Sequence, residues 1–222
     1  MGQMELTARD GHRLGAYAAA PAGNPRGGIV VVQEIFGVNA HIRSICDRLA
    51  AAGYPAVAPA IFDRFERDFE TGYAPADIER AKGLMPSFQM DACLLDVAAA
   101  RDAVASAGKV GIVGFCLGGS VAFAAATRLD GFAAASCFYG GMIQKFAGER
   151  ARCPVQLHYG ADDASIPPEN YLDVNARQPD AEFHVYEGAG HGFNCDQRQS
   201  YEPASAALAW RRTLDFLARH VG

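Results

Sequence analysis

Nowhere in the chain do 18 apolar residues run without interruption, and residues 1–8 hold no basic segment leading into an apolar one. Neither a membrane span nor a secretory signal is expected. Runs of Lys and Arg are missing too, and 25 acidic against 20 basic side chains leave a formal net charge of −5. Nucleic-acid binding needs clustered cations at phosphates, so DNA and RNA are not expected partners. The six cysteines, at 46, 93, 116, 137, 153 and 195, contain no Cys-x-x-Cys pair for a metal or a redox disulfide. A reducing cytoplasm is the expected compartment. There is no Gly-x-Ser-x-Gly to offer a serine nucleophile. A Gly-x-Gly-x-x-Gly after a strand and a phosphate-cradling Lys loop are also absent, which removes the dinucleotide and P-loop readings.

What remains is an ordinary globular composition: 222 residues, 50% hydrophobic and 20% charged. A chain of this length buries roughly 70% of the surface that its unfolded form exposes, so a core can form without disulfides or metal. No Ser/Gly-rich linker or repeat divides it, and one domain over residues 1–222 is expected. Polar and apolar residues alternate over 3–8 and 13–19 around Asp10-Gly11, a two-residue hairpin signal. Unbroken β-branched or apolar runs follow at 28–33, 55–58, 110–113, 133–138, 155–159 and 183–186. Helical patterns separate them at 40–52, capped by Asn39, and at 77–85, 88–107, 117–127, 168–177 and 203–220. This alternation predicts an α/β fold: a mainly parallel sheet with helices on both faces and ligands at the carboxyl ends of the strands. Residues 61–76 carry few periodic cues and read as a long loop over that edge.

The chemistry is concentrated in Gly114-Phe115-Cys116-Leu117-Gly118, where a buried strand runs directly into a helix. Small residues on both sides of a central nucleophile are the signature of a sharp, strained strand-to-helix elbow. The helix amino end would stabilise a thiolate there. A buried structural cysteine is the bland alternative, but no other cysteine has such surroundings. A nucleophile needs a base and the base an orienting group. His191, in the Gly-rich loop Gly188-Ala189-Gly190-His191-Gly192, follows the last strand, whereas the other five histidines sit in turns, strands or helix ends. Asp162 and Asp163 compete as the orienting acid. The order nucleophile, acid, histidine, each after a successive strand, is that of an α/β-hydrolase.

Over nearly its whole length the sequence resembles the dienelactone hydrolase (carboxymethylenebutenolidase) family. The resemblance rests on residues 32–37 with Asn39 and His41-Ile42-Arg43, on residues 114–119, on Tyr139-Gly140, on Gly160-x-x-Asp163 with Pro167, and on residues 190–193. It implies a triad of Cys116, Asp163 and His191, with Glu34 hydrogen-bonded to a neutral resting thiol until substrate displaces it. The backbone N–H groups of Ile35 and Leu117 would form the oxyanion hole, and Phe36, Tyr139, Arg80 and Arg198 would line the substrate site. A structural acid paired with Arg43 or with a backbone amide is the competing reading of Glu34. Two positions depart from the family: Pro59-Ala60 replaces a common Pro-Asp, and Cys195 stands where the best-known members have an arginine, leaving Arg198 as the nearest one. The expected activity is hydrolysis of a small enol lactone or activated ester through a thioester, with no cofactor or metal, by a monomer or homodimer. A general carboxylesterase and a ligand-sensing binder are the alternatives.

Overall fold

The computed structural model describes residues 2–222. Eight strands are formed: β1 (Gly2–Thr7), β2 (Arg13–Ala19), β3 (Gly28–Val32), β4 (Ala56–Pro59), β5 (Val110–Phe115), β6 (Phe132–Phe138), β7 (Val155–Gly160) and β8 (Glu182–Tyr186). Among the same residues six α-helices follow β3, β4, β5, β7 and β8: α1 (Ala40–Ala51), α2 (Pro75–Leu84), α3 (Met90–Val104), α4 (Leu117–Arg128), α5 (Pro168–Arg177) and α6 (Pro203–His220). The strands make one sheet in the order β1-β2-β4-β3-β5-β6-β7-β8, parallel from β4 to β8 with β1 and β2 antiparallel at one edge.

Every residue of β3, β5 and β7 is buried, as their unbroken apolar sequences require. Gly111 of β5 faces Leu217 of α6, while Gly114, three residues on, faces Gly118 of α4. Alternation along a strand therefore puts α6 and α4 on opposite faces of the sheet. Arg48 of α1 stacks on Trp210 of α6, tying the two helices together.

Four expectations are adjusted. The first hairpin closes through Ala8 N–H to His12 O, with Gly11 at φ +84°. This is a longer loop with a left-handed glycine, and not a two-residue turn at Asp10-Gly11. Helix α2 begins at Pro75, ahead of residue 77, because the Asp77 carboxylate reaches back to accept the Ala74 N–H. Helix α3 starts at Met90 and tightens into a 3₁₀ turn at Ala105–Ala107. The loop after β4 is a built element. Asp63 accepts the Gly15 and Asp68 amides, Arg64 pairs with Asp96 and Asp10, and Phe62 and Phe69 enter the core.

Candidate active site

At the carboxyl end of β5 the chain turns directly into α4, and Cys116 takes φ 54°, ψ −113° at the junction. A Cβ on Gly114 would lie 1.9 Å from the Gly118 carbonyl oxygen, and one on Gly118 would lie 2.2 Å from that of Val32. Glycine at both positions is what lets the elbow close and lets the end of β3 touch the start of α4. The Cys116 N–H donates to Phe138 O at 3.0 Å, fixing the elbow to the adjacent strand. Leu117 opens α4, so its N–H belongs to the first helical turn, whose amides have no intrahelical acceptor. Ile35 follows β3 in the neighbouring turn.

His191, on the loop after β8, places Nε2 3.1 Å from the Cys116 sulfur and Nδ1 2.7 Å from Asp163 Oδ2. Asp163 is buried and its other oxygen accepts the Ser165 N–H at 2.8 Å. Asp162 is exposed and gives its amide to Ala189 O, so the geometry separates the two neighbouring aspartates. Ser200 donates to the His191 carbonyl at 2.6 Å, which holds the loop. Burial opposes a charged imidazole here, but the Cys116 sulfur and the Asp163 hydrogen bond outweigh it and raise His191 to about 10.

Glu34, just past β3, lies with 1% of its side chain exposed, yet it does not hydrogen-bond the thiol. Its Oε1 accepts from Arg198 at 2.9 Å and its Oε2 from the Tyr73 hydroxyl at 3.2 Å. The expected thiol–carboxylate bond is therefore replaced. A partly desolvated guanidinium is a stronger partner for a buried carboxylate than a weak S–H donor. Arg43 is equally unavailable, being bidentate to Glu70. The Arg198 guanidinium also lies over the rings of Phe36, 5.6 Å, and Tyr73, 5.7 Å. Tyr139 is fully buried at φ 38°, with its ring 5.2 Å from that of His191. Phe36, Tyr139 and Arg198 are thereby brought to the site. Arg80 pairs with Glu66 at 2.6 Å and stacks on Phe69, while Arg67 reaches the Arg13 carbonyl. Neither has a contact with Cys116, His191 or Glu34.

Tyr73 is the residue that sequence reasoning missed. It lies in the aperiodic stretch before α2, and nothing local marks a phenol that bridges Glu34 and Asn39. A cleft of about 630 Å³ among Glu149, Arg177 and His220 opens at the amino ends of β7 and β8. That is the opposite end of the strands from Cys116.

The sheet order, the two helical layers and the strained elbow at the carboxyl edge define an α/β-hydrolase. The dienelactone hydrolase family profile matches residues 14–221. Carboxymethylenebutenolidases of Pseudomonas putida and Pseudomonas knackmussii are each 37% identical over 228 residues, covering 97% of this chain and 95% of theirs. A crystal structure from Klebsiella pneumoniae subsp. pneumoniae, named for dienelactone hydrolase, superposes with a TM-score of 0.84 at 32% identity, covering 99% of this chain and 100% of that one. The chain belongs to the dienelactone hydrolase family and is a hydrolase acting on carboxylic esters or lactones.

Proposed function

We propose that the protein opens small, carboxylate-bearing enol lactones through a Cys116-His191-Asp163 triad and a thioester intermediate. The observation that carries this reading is the unbroken chain of contacts from sulfur to Nε2 at 3.1 Å and from Nδ1 to Asp163 at 2.7 Å. His191 Nε2, in contact with the sulfur, takes the thiol proton and releases the thiolate as the nucleophile.

The thiolate attacks the lactone carbonyl carbon, and the Ile35 and Leu117 N–H groups receive the oxyanion. Such a donor is worth roughly 10² to 10³ in rate. Collapse breaks the ring C–O bond, His191 gives its proton to the departing enolate oxygen, and an acyl thioester remains on Cys116. A water then loses a proton to His191 and attacks the thioester carbon, which frees the acid product, whose proton passes to solvent, and restores the thiolate. Asp163 stays ionised throughout and keeps Nδ1 protonated, leaving Nε2 free for both transfers.

Arg198 supports the choice of an anionic substrate. It is held between Phe36 and Tyr73, and a substrate carboxylate would compete with Glu34 for its planar fork. A second reading rests on the same contact. Glu34 already neutralises Arg198, which suits a neutral ester and a general carboxylesterase. The test compares kcat/KM on an enol lactone acid and on its methyl ester, alongside mass spectrometry of enzyme quenched during turnover. Preference for the acid, with one acyl mass on Cys116, supports the lactone reading. Equal efficiency moves the assignment to the general esterase, and an acyl group found elsewhere removes the triad.

A further inference from the structure

Behind Glu34 lie two side chains that the proposed reaction does not use, His41 and Cys195. Glu34, His41 and Cys195 come from the end of β3, the first turn of α1 and the loop after His191. All three are buried, and each offers one ligand atom, a carboxylate oxygen, a ring nitrogen or a sulfur, within 4.8 Å of the other two. His41 is only 2% exposed, and its Nε2 is buried with no hydrogen-bond partner. Leaving such an atom unsatisfied costs about 1–3 kcal/mol, so a ring in this position is poised for a ligand. On the other side of the ring, Nδ1 lies 4.0 Å from the Asp196 carboxylate.

We propose that Glu34, His41 and Cys195 form a binding site for a thiophilic divalent cation, zinc by its donor set. One nitrogen, one sulfur and one oxygen ligand are the mixture zinc accepts, whereas magnesium and calcium require shells of oxygen. Zinc bonds of 2.0–2.3 Å in a tetrahedron set ligand atoms roughly 3.3–3.8 Å apart, so the three close by about 1.5 Å at most. On binding, the Cys195 thiol loses its proton to solvent and Glu34 turns one oxygen away from Arg198 or Tyr73. Thiolate and carboxylate together match the charge of the dication, with the Arg198 guanidinium still beside Glu34. Nε2, buried and without a partner, is the ring nitrogen left to ligate. The cysteine that replaces a family arginine thereby gives this chain a metal site beside a hydrolytic one.

Cys116 and His191 are a rival metal pair, so the experiment uses the full-length Cys116→Ala protein. Cobalt(II) added to it is expected to give a near-ultraviolet thiolate-to-cobalt band that saturates at one equivalent and is displaced by zinc. Cys195→Ser in the same background is expected to abolish the band and weaken zinc binding in equilibrium dialysis by at least about tenfold. His41→Gln is expected to weaken zinc as well, while Cys153→Ser, at the other part-exposed cysteine besides Cys116, leaves it unchanged. Circular dichroism checks that each variant is folded. No saturable band in Cys116→Ala, or unchanged zinc affinity in folded Cys116→Ala/Cys195→Ser, overturns the site.

Discussion

Arg198 and Glu34, 164 positions apart in the chain, form a 2.9 Å ion pair beneath the candidate nucleophile, with 17% and 1% of their side chains exposed. A pair this buried is strongly conditional, because removing one partner leaves the other charged and desolvated. Breaking such pairs typically costs about 3–5 kcal/mol, whereas replacing both partners together costs far less. Arg198→Met is therefore expected to lower the urea-unfolding free energy by roughly that amount, and Glu34→Gln in the same chain to recover most of the loss. An Arg198→Met cost that is the same in the wild-type and Glu34→Gln backgrounds would mean that the two residues are not coupled.

The two aspartates after β7 separate sharply in the structure. Asp163 is buried against His191 Nδ1, and Asp162 faces solvent. Asp163→Asn would turn a donor amide toward the imidazole or force the wrong tautomer, and turnover is expected to fall by up to about 10⁴. Asp162→Asn is expected to stay near wild type. Steady-state kinetics on one activated ester checks the ranking, and the reverse order would reassign the orienting acid.

Much of this geometry is legible along the chain, and the residues show why. The elbow is a local event, since Gly114, Cys116 and Gly118 meet within one turn and the constraint is written in adjacent letters. His191 is legible for the same reason, being framed by Gly190 and Gly192. The strands β3, β5 and β7 declare themselves through unbroken apolar runs, because both of their faces are covered. By contrast, Asp162 and Asp163 share composition and flanks, and only the packing of the β7 and β8 loops decides which carboxylate turns inward. Glu34's partners come from residues 73 and 198, so no window of sequence contains the contact. The expectation of a thiol–carboxylate bond failed at that point: Arg198, from a distant loop, is the better partner.

Stability should fall on both sides of a plateau, for opposite reasons. Burial holds His158 well below the ordinary 6.5, inside a network of Tyr186, Gln156, Ser136 and Thr213. The unfolded chain takes up a proton that the folded chain refuses, so stability drops as pH falls below about 6.5, by up to about 1.4 kcal/mol per pH unit for this histidine. His191 has the opposite sign. Its value is raised to about 10 by Cys116 and Asp163 against the opposing effect of burial. Its contribution is complete below about 6.5 and is lost as pH rises toward 10. Melting temperatures across this range should show both limbs for the wild type. His191→Gln should flatten the alkaline limb and keep the acid one. An alkaline limb unaffected by the substitution would show that His191 is not held as a cation.

Cys116 pays for its position in backbone strain, at φ 54°, ψ −113°, a conformation that costs a residue with a Cβ about 1–3 kcal/mol. Alanine keeps the strain and loses the sulfur. Glycine loses both, but it widens the unfolded ensemble, which offsets up to about 1 kcal/mol of the relief. Hydrolysis is expected to vanish in Cys116→Ala and in Cys116→Gly, with Cys116→Gly the more stable of the two by about 1 kcal/mol in chemical denaturation. The comparison isolates geometry from chemistry, because both variants lack the thiol and differ by a single methyl group. Surviving activity in either would remove Cys116 as nucleophile. A glycine variant less stable than the alanine one would mean that the elbow is relaxed, and that its backbone conformation is not what holds the sulfur toward His191.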